Sequence, residues 1–91
     1  MAEPIENWVL TRHAEEEMAG RGIDLATVAA VLAAPEQRLS VRPGREVLQS
    51  RVVQEGKTYL IRVFVDVDRE PPAVVTAYRT SRIGKYWSAA P

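Results

Sequence analysis

The most regular pattern of apolar and polar positions lies in the second half of the chain, between Thr58 and Val67. Two sets of side chains alternate there: Tyr59, Ile61, Val63, Val65 and Val67 with Leu60, Arg62, Phe64 and Asp66. Side chains two residues apart in a strand share one face of the sheet. The alternation therefore predicts a strand whose β-branched side faces the core.

Two more strands and their turns are predicted around it. Val47–Val53 is a strand of mixed polarity, joined to the central strand by a glycine-containing hairpin turn at residues 54–57. Residues 42–44, Arg-Pro-Gly, have the composition of a turn. Residues 69–72, Arg-Glu-Pro-Pro, end the central strand. Ala73–Thr80 is the last predicted strand.

The first third of the chain has helical periodicity. Thr11 and Asp24 are suited to be helix N-caps, and the glycines at 20 and 22 are suited to end the first helix. Apolar residues follow Asp24 at helical spacing: Leu25, Val28, Val31 and Leu32. Pro35 stops this second helix. The apolar residues of Ile5–Leu10 predict a short strand before both helices.

These elements follow one another as strand, helix, helix, strand, strand, strand. We expect an α+β fold in which the two N-terminal helices pack on one face of an antiparallel sheet of three to four strands. A chain of 91 residues is expected to form a single domain over residues 1–91. Its core is expected to span about residues 8 to 87.

Composition excludes several kinds of site. The chain has no cysteine and one histidine, which excludes a disulfide framework and zinc sites built from thiolates or several imidazoles. It has no apolar run long enough to cross a membrane. It also lacks a glycine-rich phosphate loop and a Gly-x-Ser-x-Gly nucleophile motif. We therefore expect a cytoplasmic domain without a cofactor, structural metal or membrane partner.

Charge is divided unevenly, although the formal net charge is zero. Residues 1–35 contain six acidic and two basic side chains, whereas residues 36–91 contain six acidic and ten basic ones. The C-terminal stretch has Arg79, Arg82 and Lys85 and no acid. This division favours an anionic partner. An acidic helical face and a basic sheet that are both merely solvated would give the same division.

The predicted strands place an arginine among polar and aromatic side chains. If Val75 faces the core, Thr76 and Tyr78 lie on the same side of the sheet as Arg62, beside an exposed Phe64. Arginine binds phosphate and aromatic rings stack on bases, so this set is suited to a nucleotide. The alternative is a sheet face on which the arginine stem covers apolar rings.

His13 lies in the first turn of the first predicted helix. An imidazole there could act as a general acid or base, or it could be a surface residue without a role. Since the chain has no second histidine, a proton-transfer partner would have to be another group. The candidates are Tyr78, Tyr86, Lys85 and a water assisted by an arginine.

Two groups of residues carry a resemblance to a known family. The first comprises Thr11-Arg12-His13-Ala14, Met18, Arg21-Gly22-Ile23, Val28, Val31, Leu32 and Pro35-Glu36. The second comprises Val74–Thr80 and the following Lys85-Tyr86-Trp87. Together they resemble the bacterial proteins grouped as domain of unknown function 4258. Such domains resemble the RelE and ParE toxins and the metal-independent RNases with a barnase- or colicin-like sheet.

This resemblance implies a RelE-like fold and a toxin-type endoribonuclease without a metal. In such a reaction a ribose 2′-hydroxyl attacks the adjacent phosphate, while a base, an acid and cations assist. The residues then expected to be catalytic are His13, Arg62 and Tyr78. The expected substrate-binding residues are Arg45, Thr76, Arg79, Arg82, Lys85 and Tyr86. The expected partners are RNA and a small antitoxin with an acidic segment.

Two other functions remain open from the sequence. A non-catalytic module of the same fold could bind protein or nucleic acid through the basic sheet face and a C-terminal segment with Tyr86 and Trp87. Alternatively, this aromatic segment could complete an oligomer or the chain's own core. The enzyme requires His13 to lie close to the arginines, whereas the binding module does not.

Overall fold

A computed structural model of the chain describes residues 2–89. In chain order the elements are β1 Val9–Leu10, α1 Arg12–Arg21, α2 Leu25–Ala33, β2 Gln37–Arg42, β3 Arg45–Gln54, β4 Lys57–Asp66, β5 Ala73–Thr80 and α3 Ile83–Tyr86. The strands form one sheet in the order β1-β5-β4-β3-β2. The described part of the chain is therefore an α+β fold. None of its helices is long and apolar enough to cross a membrane.

The ends of α1 and α2 follow local capping chemistry. The side chains of Thr11 and Asp24 each accept a hydrogen bond from the backbone N–H three residues later, at 3.0 and 2.8 Å, so both predicted N-caps are confirmed. Gly22 ends α1 in the left-handed conformation, with φ +68°. Gly20 lies inside the helix and does not end it. Pro35 follows the C-cap of α2, as predicted.

The sheet is mixed, so the prediction of a purely antiparallel sheet is wrong. Strands β2 to β5 pair antiparallel with their neighbours, but β1 pairs parallel with β5 through Val9–Ala73 and Leu10–Val74. A hairpin forces its two strands to be antiparallel, whereas the long connection between β1 and β5 does not. The first and last strands of the chain therefore lie side by side.

Two elements were absent from the sequence prediction. The edge strand β2 is the first, and it raises the number of strands in the described chain to five. The second is α3, a single turn after β5. Neither has a strong periodic pattern of apolar residues. α3 has only four residues, and β2 is half exposed and has an irregular register at Val41.

A bulge in β5 changes which of its residues face inward. The register with β4 shifts between Phe64 and Val65, and this leaves Val75 as an extra residue. Val74 is consequently fully buried in the core, and Val75 is only half-buried. The prediction that Val75 faces the core is therefore wrong. Beyond the bulge the predicted alternation holds, with Ala77 buried.

The hydrophobic core lies between the sheet and the pair α1 and α2. It comprises Ile5, Ala14, Met18, Ile23, Val28, Val31, Leu32, Leu48, Ile61, Val63, Val65, Val74 and Ala77. The predicted inward set of β4 is thus confirmed at Ile61, Val63 and Val65. We call the sheet surface turned away from α1 and α2 the open face.

Candidate functional site

A row of polar and aromatic side chains crosses the middle of the open face. The strand register pairs Gln49 with Arg62 and Arg62 with Tyr78, so β3, β4 and β5 each contribute one side chain. Phe64 adjoins them from β4, and Tyr86 adjoins them from α3. We call these five residues the open-face cluster.

Arg62 is the centre of the open-face cluster. Its Nε donates to Gln49 Oε1 at 2.8 Å, and its Nη1 donates to the Tyr78 hydroxyl at 2.6 Å. Its guanidinium carbon lies 4.5 Å from the ring centroid of Tyr86, 5.2 Å from that of Phe64 and 5.7 Å from that of Tyr78. Such contacts between a guanidinium and aromatic faces are attractive. The structure therefore brings Arg62, Tyr78 and Tyr86 together.

No carboxylate in residues 2–89 pairs with Arg62. Arg38, Arg45 and Arg62 are all half-buried. Arg38 pairs with Glu46, and Arg45 pairs with Asp66. Within residues 2–89, the hydrogen-bond acceptors of Arg62 are neutral, an amide oxygen and a phenol oxygen. A cation partly withdrawn from water without a counter-charge favours the binding of an anion.

Residues 86–88 fold over the open face, and we call them the C-terminal cover. Gln49 Nε2 donates to the Tyr86 carbonyl at 3.1 Å. Gln37 forms two bonds to the backbone of Ser88, at 2.6 and 3.0 Å. Phe64, which stacks on Tyr78, is half-buried, so the prediction that it is exposed is wrong. The aromatic segment packs against the chain's own sheet, which is one of the alternatives left open by the sequence.

Arg45 belongs to a different group. It lies at the start of β3, where its Nε and Nη2 donate to the two carboxylate oxygens of Asp66 at 2.6 and 3.2 Å. This contact with Arg45 holds the pKa of the Asp66 carboxyl below its ordinary value. Because its guanidinium is already paired, Arg45 is a weaker candidate than Arg62 for a phosphate ligand.

His13 lies in a third group, at the contact between α1 and β5. Its Nε2 is 3.1 Å from Glu17 Oε1, and Glu17 also accepts hydrogen bonds from the Thr76 hydroxyl and from Arg21. The Thr76 hydroxyl, with Arg21 and His13, holds the pKa of Glu17 below its ordinary value. Arg21 Nη1 also donates to Thr76 Oγ1 at 3.1 Å and to the Ala77 carbonyl at 3.0 Å.

The residues expected to form one catalytic site are therefore divided among three groups. His13 and Thr76 belong to the α1–β5 contact, Arg62 and Tyr78 to the open-face cluster, and Arg45 to its pair with Asp66. α1 packs on the core side of the sheet, whereas Arg62 and Tyr78 project from the other side. This arrangement does not bring His13 to Arg45 or Arg62, so a nuclease site on the open face would have to work without this histidine.

The three basic residues predicted near the C-terminus also separate. Arg79 alternates with Tyr78 along β5 and contacts Tyr59, whose ring centroid lies 4.4 Å from the guanidinium carbon. Arg82 is exposed at the N-cap of α3, and Lys85 is exposed within this helix, next to Tyr86. Lys85 Nζ lies 5.3 Å from the Tyr86 ring centroid. Lys85 therefore adjoins the open-face cluster, whereas Arg79 does not.

A comparison with protein families tests the family resemblance that the sequence indicated. The family model for domain of unknown function 4258 matches residues 10–79. The chain belongs to this family. No match was found among curated proteins or among solved structures.

The matched region of this domain 4258 chain contains Arg62 and Tyr78 but stops before Tyr86. Every strand except the first residue of β1 and the last residue of β5 lies within it. Arg62 and Tyr78 are thus part of the family region, whereas the C-terminal cover lies outside it.

Sequence reasoning missed two site residues of the domain 4258 chain, Gln37 and Gln49. Both side chains are buried, at 6% and 0% exposure. Gln49 Nε2 donates to Gln37 Oε1 at 2.7 Å, so the two amides form one network with Arg62. The sequence contained one indication of this role. Gln49 alternates with the core residues of β3, so it could have been assigned to the open face. No three His, Asp or Glu side chains between residues 2 and 89 are grouped to hold a metal ion.

Proposed function

We propose that the chain is a toxin-type endoribonuclease that acts without a metal and binds an RNA phosphodiester at the open-face cluster. The observation that carries this proposal is the half-buried guanidinium of Arg62, which has neutral hydrogen-bond acceptors and no carboxylate partner in the described chain. A phosphodiester supplies the missing negative charge, and the arginine fork matches phosphate geometry.

Arg62 has donors available for such a ligand. A guanidinium carries five N–H groups, and the described contacts use one on Nε and one on Nη1. In the proposed reaction the remaining N–H groups would stabilise the charge that develops on the phosphate oxygens. Stabilisation of this kind contributes about a hundredfold to a thousandfold in rate per donor.

Tyr78 is the proposed proton donor. Its oxygen accepts a hydrogen bond from Arg62 at 2.6 Å, so its own proton is directed elsewhere. The 2′-oxygen of the substrate bonds to phosphorus, and the bond from phosphorus to the 5′-oxygen breaks. Tyr78 protonates that 5′-oxygen, and the proton released by the 2′-hydroxyl returns to Tyr78 through water. Arg62 stabilises the transient phenolate.

The aromatic rings give the proposed site a preference for unpaired RNA. Phe64 and Tyr78 stack with their centroids 5.9 Å apart, and Tyr86 meets Tyr78 edge-on at 6.1 Å. Base stacking on such rings tolerates many sequences. The exposed cations Arg82 and Lys85 would add contacts to neighbouring phosphates.

The proposal also covers the substrate and the controlling partner of this toxin-type enzyme. The substrate would be cytoplasmic RNA, and the controlling partner would be a small antitoxin with an acidic segment. The RelE-like assignment is part of the same proposal. It is supported by the helix pair that precedes four consecutive antiparallel strands and by the parallel return of the last strand to the first.

Cleavage of a fluorescent single-stranded RNA by the purified chain tests this function. We expect Arg62→Gln to lower the rate by at least about a hundredfold, and Tyr78→Phe to lower it by a similar factor while RNA binding persists. Arg45→Gln is the matched control, because it removes a half-buried arginine that already has a carboxylate partner. Equal losses in the Arg62 and Arg45 variants would contradict the assignment.

A binding module is the second candidate function. The C-terminal cover and the neutral Gln37–Gln49 network favour it, because both stabilise the open face without supplying a reactive group. RNA binding that depends on Arg62, without cleavage by the wild type, would establish this function and exclude the nuclease.

A further inference from the structure

A second arginine with neutral partners lies on the opposite side of the sheet. Arg79 pairs in register with the core residue Ile61, so it projects toward the side of α1 and α2. Around it are Gln54 from the end of β3 and Lys57 and Tyr59 from the start of β4. We call Gln54, Lys57, Tyr59 and Arg79 the hairpin-end patch.

Two cations of the hairpin-end patch, Arg79 and Lys57, lie near the same aromatic ring. The guanidinium carbon of Arg79 lies 4.4 Å from the Tyr59 ring centroid, and Lys57 Nζ lies 5.5 Å from it. Arg79 Nη1 donates to Gln54 Oε1 at 2.9 Å. Neither cation forms an ion pair with a carboxylate in the described chain. Two like charges at one ring repel each other, and an anion bound between them would offset this repulsion.

The patch repeats the chemistry of the open-face cluster. In both places an arginine donates to a glutamine Oε1 and lies over a tyrosine ring, through Arg62 and Gln49 on one side and Arg79 and Gln54 on the other. Half-buried tyrosine with exposed cations suits a base and its phosphate together. The shared residue types indicate the same class of ligand on both sides.

The two places are connected through β5. Tyr78 and Arg79 are consecutive in this strand, so their side chains leave it on opposite faces. β1 pairs with β5 only at Ala73 and Val74, and Arg21 of α1 bonds β5 at the Ala77 carbonyl, so neither contact reaches Tyr78 or Arg79. A flexible single strand can therefore pass from one face to the other beside these two residues.

We infer that the hairpin-end patch is a second phosphate-binding site for the RNA strand that the open-face cluster binds. This inference rests on the proposed function and extends it. A short RNA occupies the open-face cluster alone, whereas a longer single strand also contacts Lys57, Tyr59 and Arg79.

Binding of fluorescent single-stranded RNAs of about 4 and about 12 nucleotides tests the second site. The test variant is Lys57→Gln with Arg79→Gln. The matched control is Arg42→Gln with Arg69→Gln, which removes two exposed cations near Asp66 at the opposite end of the sheet. We expect the test variant to bind the long RNA about tenfold more weakly and the short RNA as the wild type does. The slope of log affinity against log salt for the long RNA should fall by about 1.4.

The possible results separate the two proposals. Equal effects of the test and control variants on the long RNA, or no advantage of the long RNA over the short one in the wild type, would overturn the second site. Failure of Arg62→Gln to weaken binding of the short RNA would overturn the proposed function instead. Thermal unfolding confirms that each variant is folded, and Lys57→Gln alone replaces the double variant if that one is not.

Discussion

At the scale of single residues, the partner of each half-buried arginine decides what it can do. Arg38 and Arg45 have carboxylates and are electrostatically satisfied, whereas Arg62 has an amide and a phenol. All three are arginines in strands, so the sequence does not distinguish them. The distinction arises from register, which places Asp66 opposite Arg45 and Gln49 opposite Arg62.

Supplying the missing carboxylate should abolish the anion preference of Arg62. We expect Gln49→Glu to weaken RNA binding at least tenfold, because the new carboxylate neutralises the guanidinium within the protein. Gln49→Leu is the control, since it also removes the two hydrogen bonds that Gln49 Nε2 donates but adds no charge. Titration of a labelled RNA measures both affinities. Equal weakening by the two variants would show that Gln49 acts only through packing.

The ion pair of Arg45 and Asp66 should make stability depend on pH. The pKa of Asp66 is lowered in the folded chain by Arg45. Such a carboxyl stabilises the fold above its ordinary pKa, and the stabilisation is lost as pH falls through the lower folded value. We expect Asp66→Asn to lower the free energy of unfolding by about 1 kcal/mol at pH 7.

Urea unfolding at several pH values measures this effect. The difference between wild type and Asp66→Asn should shrink below about pH 4. Arg45→Gln should reproduce the same trend, and the double variant should add little to either single change. A difference that stays constant with pH would contradict the pairing.

At the scale of elements, periodicity and capping predicted most of the fold. Thr11, Asp24 and Pro35 bound the helices because capping depends on local chemistry, and the alternation in β4 identified its buried side. The bulge at Val75 was not predictable, since it depends on the neighbouring strand. β2 was missed because an edge strand buries too few side chains to create an apolar alternation.

The candidate site was also predictable only in part, because some of its contacts join distant parts of the chain. The adjacency of Arg62 and Tyr78 follows from alternation plus hairpin pairing. The separation of His13 from them follows from the position of α1 on the core side, which a single sequence does not specify. The burial of Gln49 depends on the return of residues 86–88 to the sheet, a contact between distant parts of the chain.

The two glycine-containing hairpin turns, before β3 and before β4, should differ in how well they tolerate an alanine. Gly44 and Gly56 both have positive φ, at +83° and +76°. A Cβ at Gly56 would meet no atom within 4 Å, whereas one at Gly44 would lie 2.5 Å from Asp68 Oδ2. We expect Gly56→Ala to lower the free energy of unfolding by about 1 kcal/mol through backbone strain. Gly44→Ala should lower it further.

Urea unfolding of both alanine variants measures the difference between the turns. The Asp68→Ala background is the control, because removal of that side chain should make the two glycine substitutions equivalent. A difference that persists in that background would show that the Asp68 contact is not its cause.

At the scale of the whole molecule, the C-terminal cover holds the open face together. Val47 and Leu60 lie on that face and are nevertheless 1% and 0% exposed. Gln37 and Gln49 bond to the backbone of Ser88 and Tyr86, and Arg51 lies 4.2 Å from the Trp87 ring centroid. The cover therefore contributes to folding as well as to the proposed site.

Truncation after Tyr86 should destabilise the fold while leaving the cluster residues in place. We expect a loss of about 2 kcal/mol, from the two Gln37 hydrogen bonds and the Trp87 contact. Thermal and urea unfolding measure it, with Trp87→Leu as the control that keeps the backbone bonds. A truncated chain as stable as the wild type would show that these contacts do not contribute to the free energy of unfolding.

The pairing of β1 with β5 has a consequence for synthesis on the ribosome. Leu10 can pair with Val74 only after the residues between them have been synthesised. The sheet therefore cannot close before β5 has left the ribosome, and until then the apolar side of the helix pair is not covered by β5. Contacts between such distant positions slow folding. The chain should accordingly acquire protease resistance in a single step, once β5 has left the ribosome.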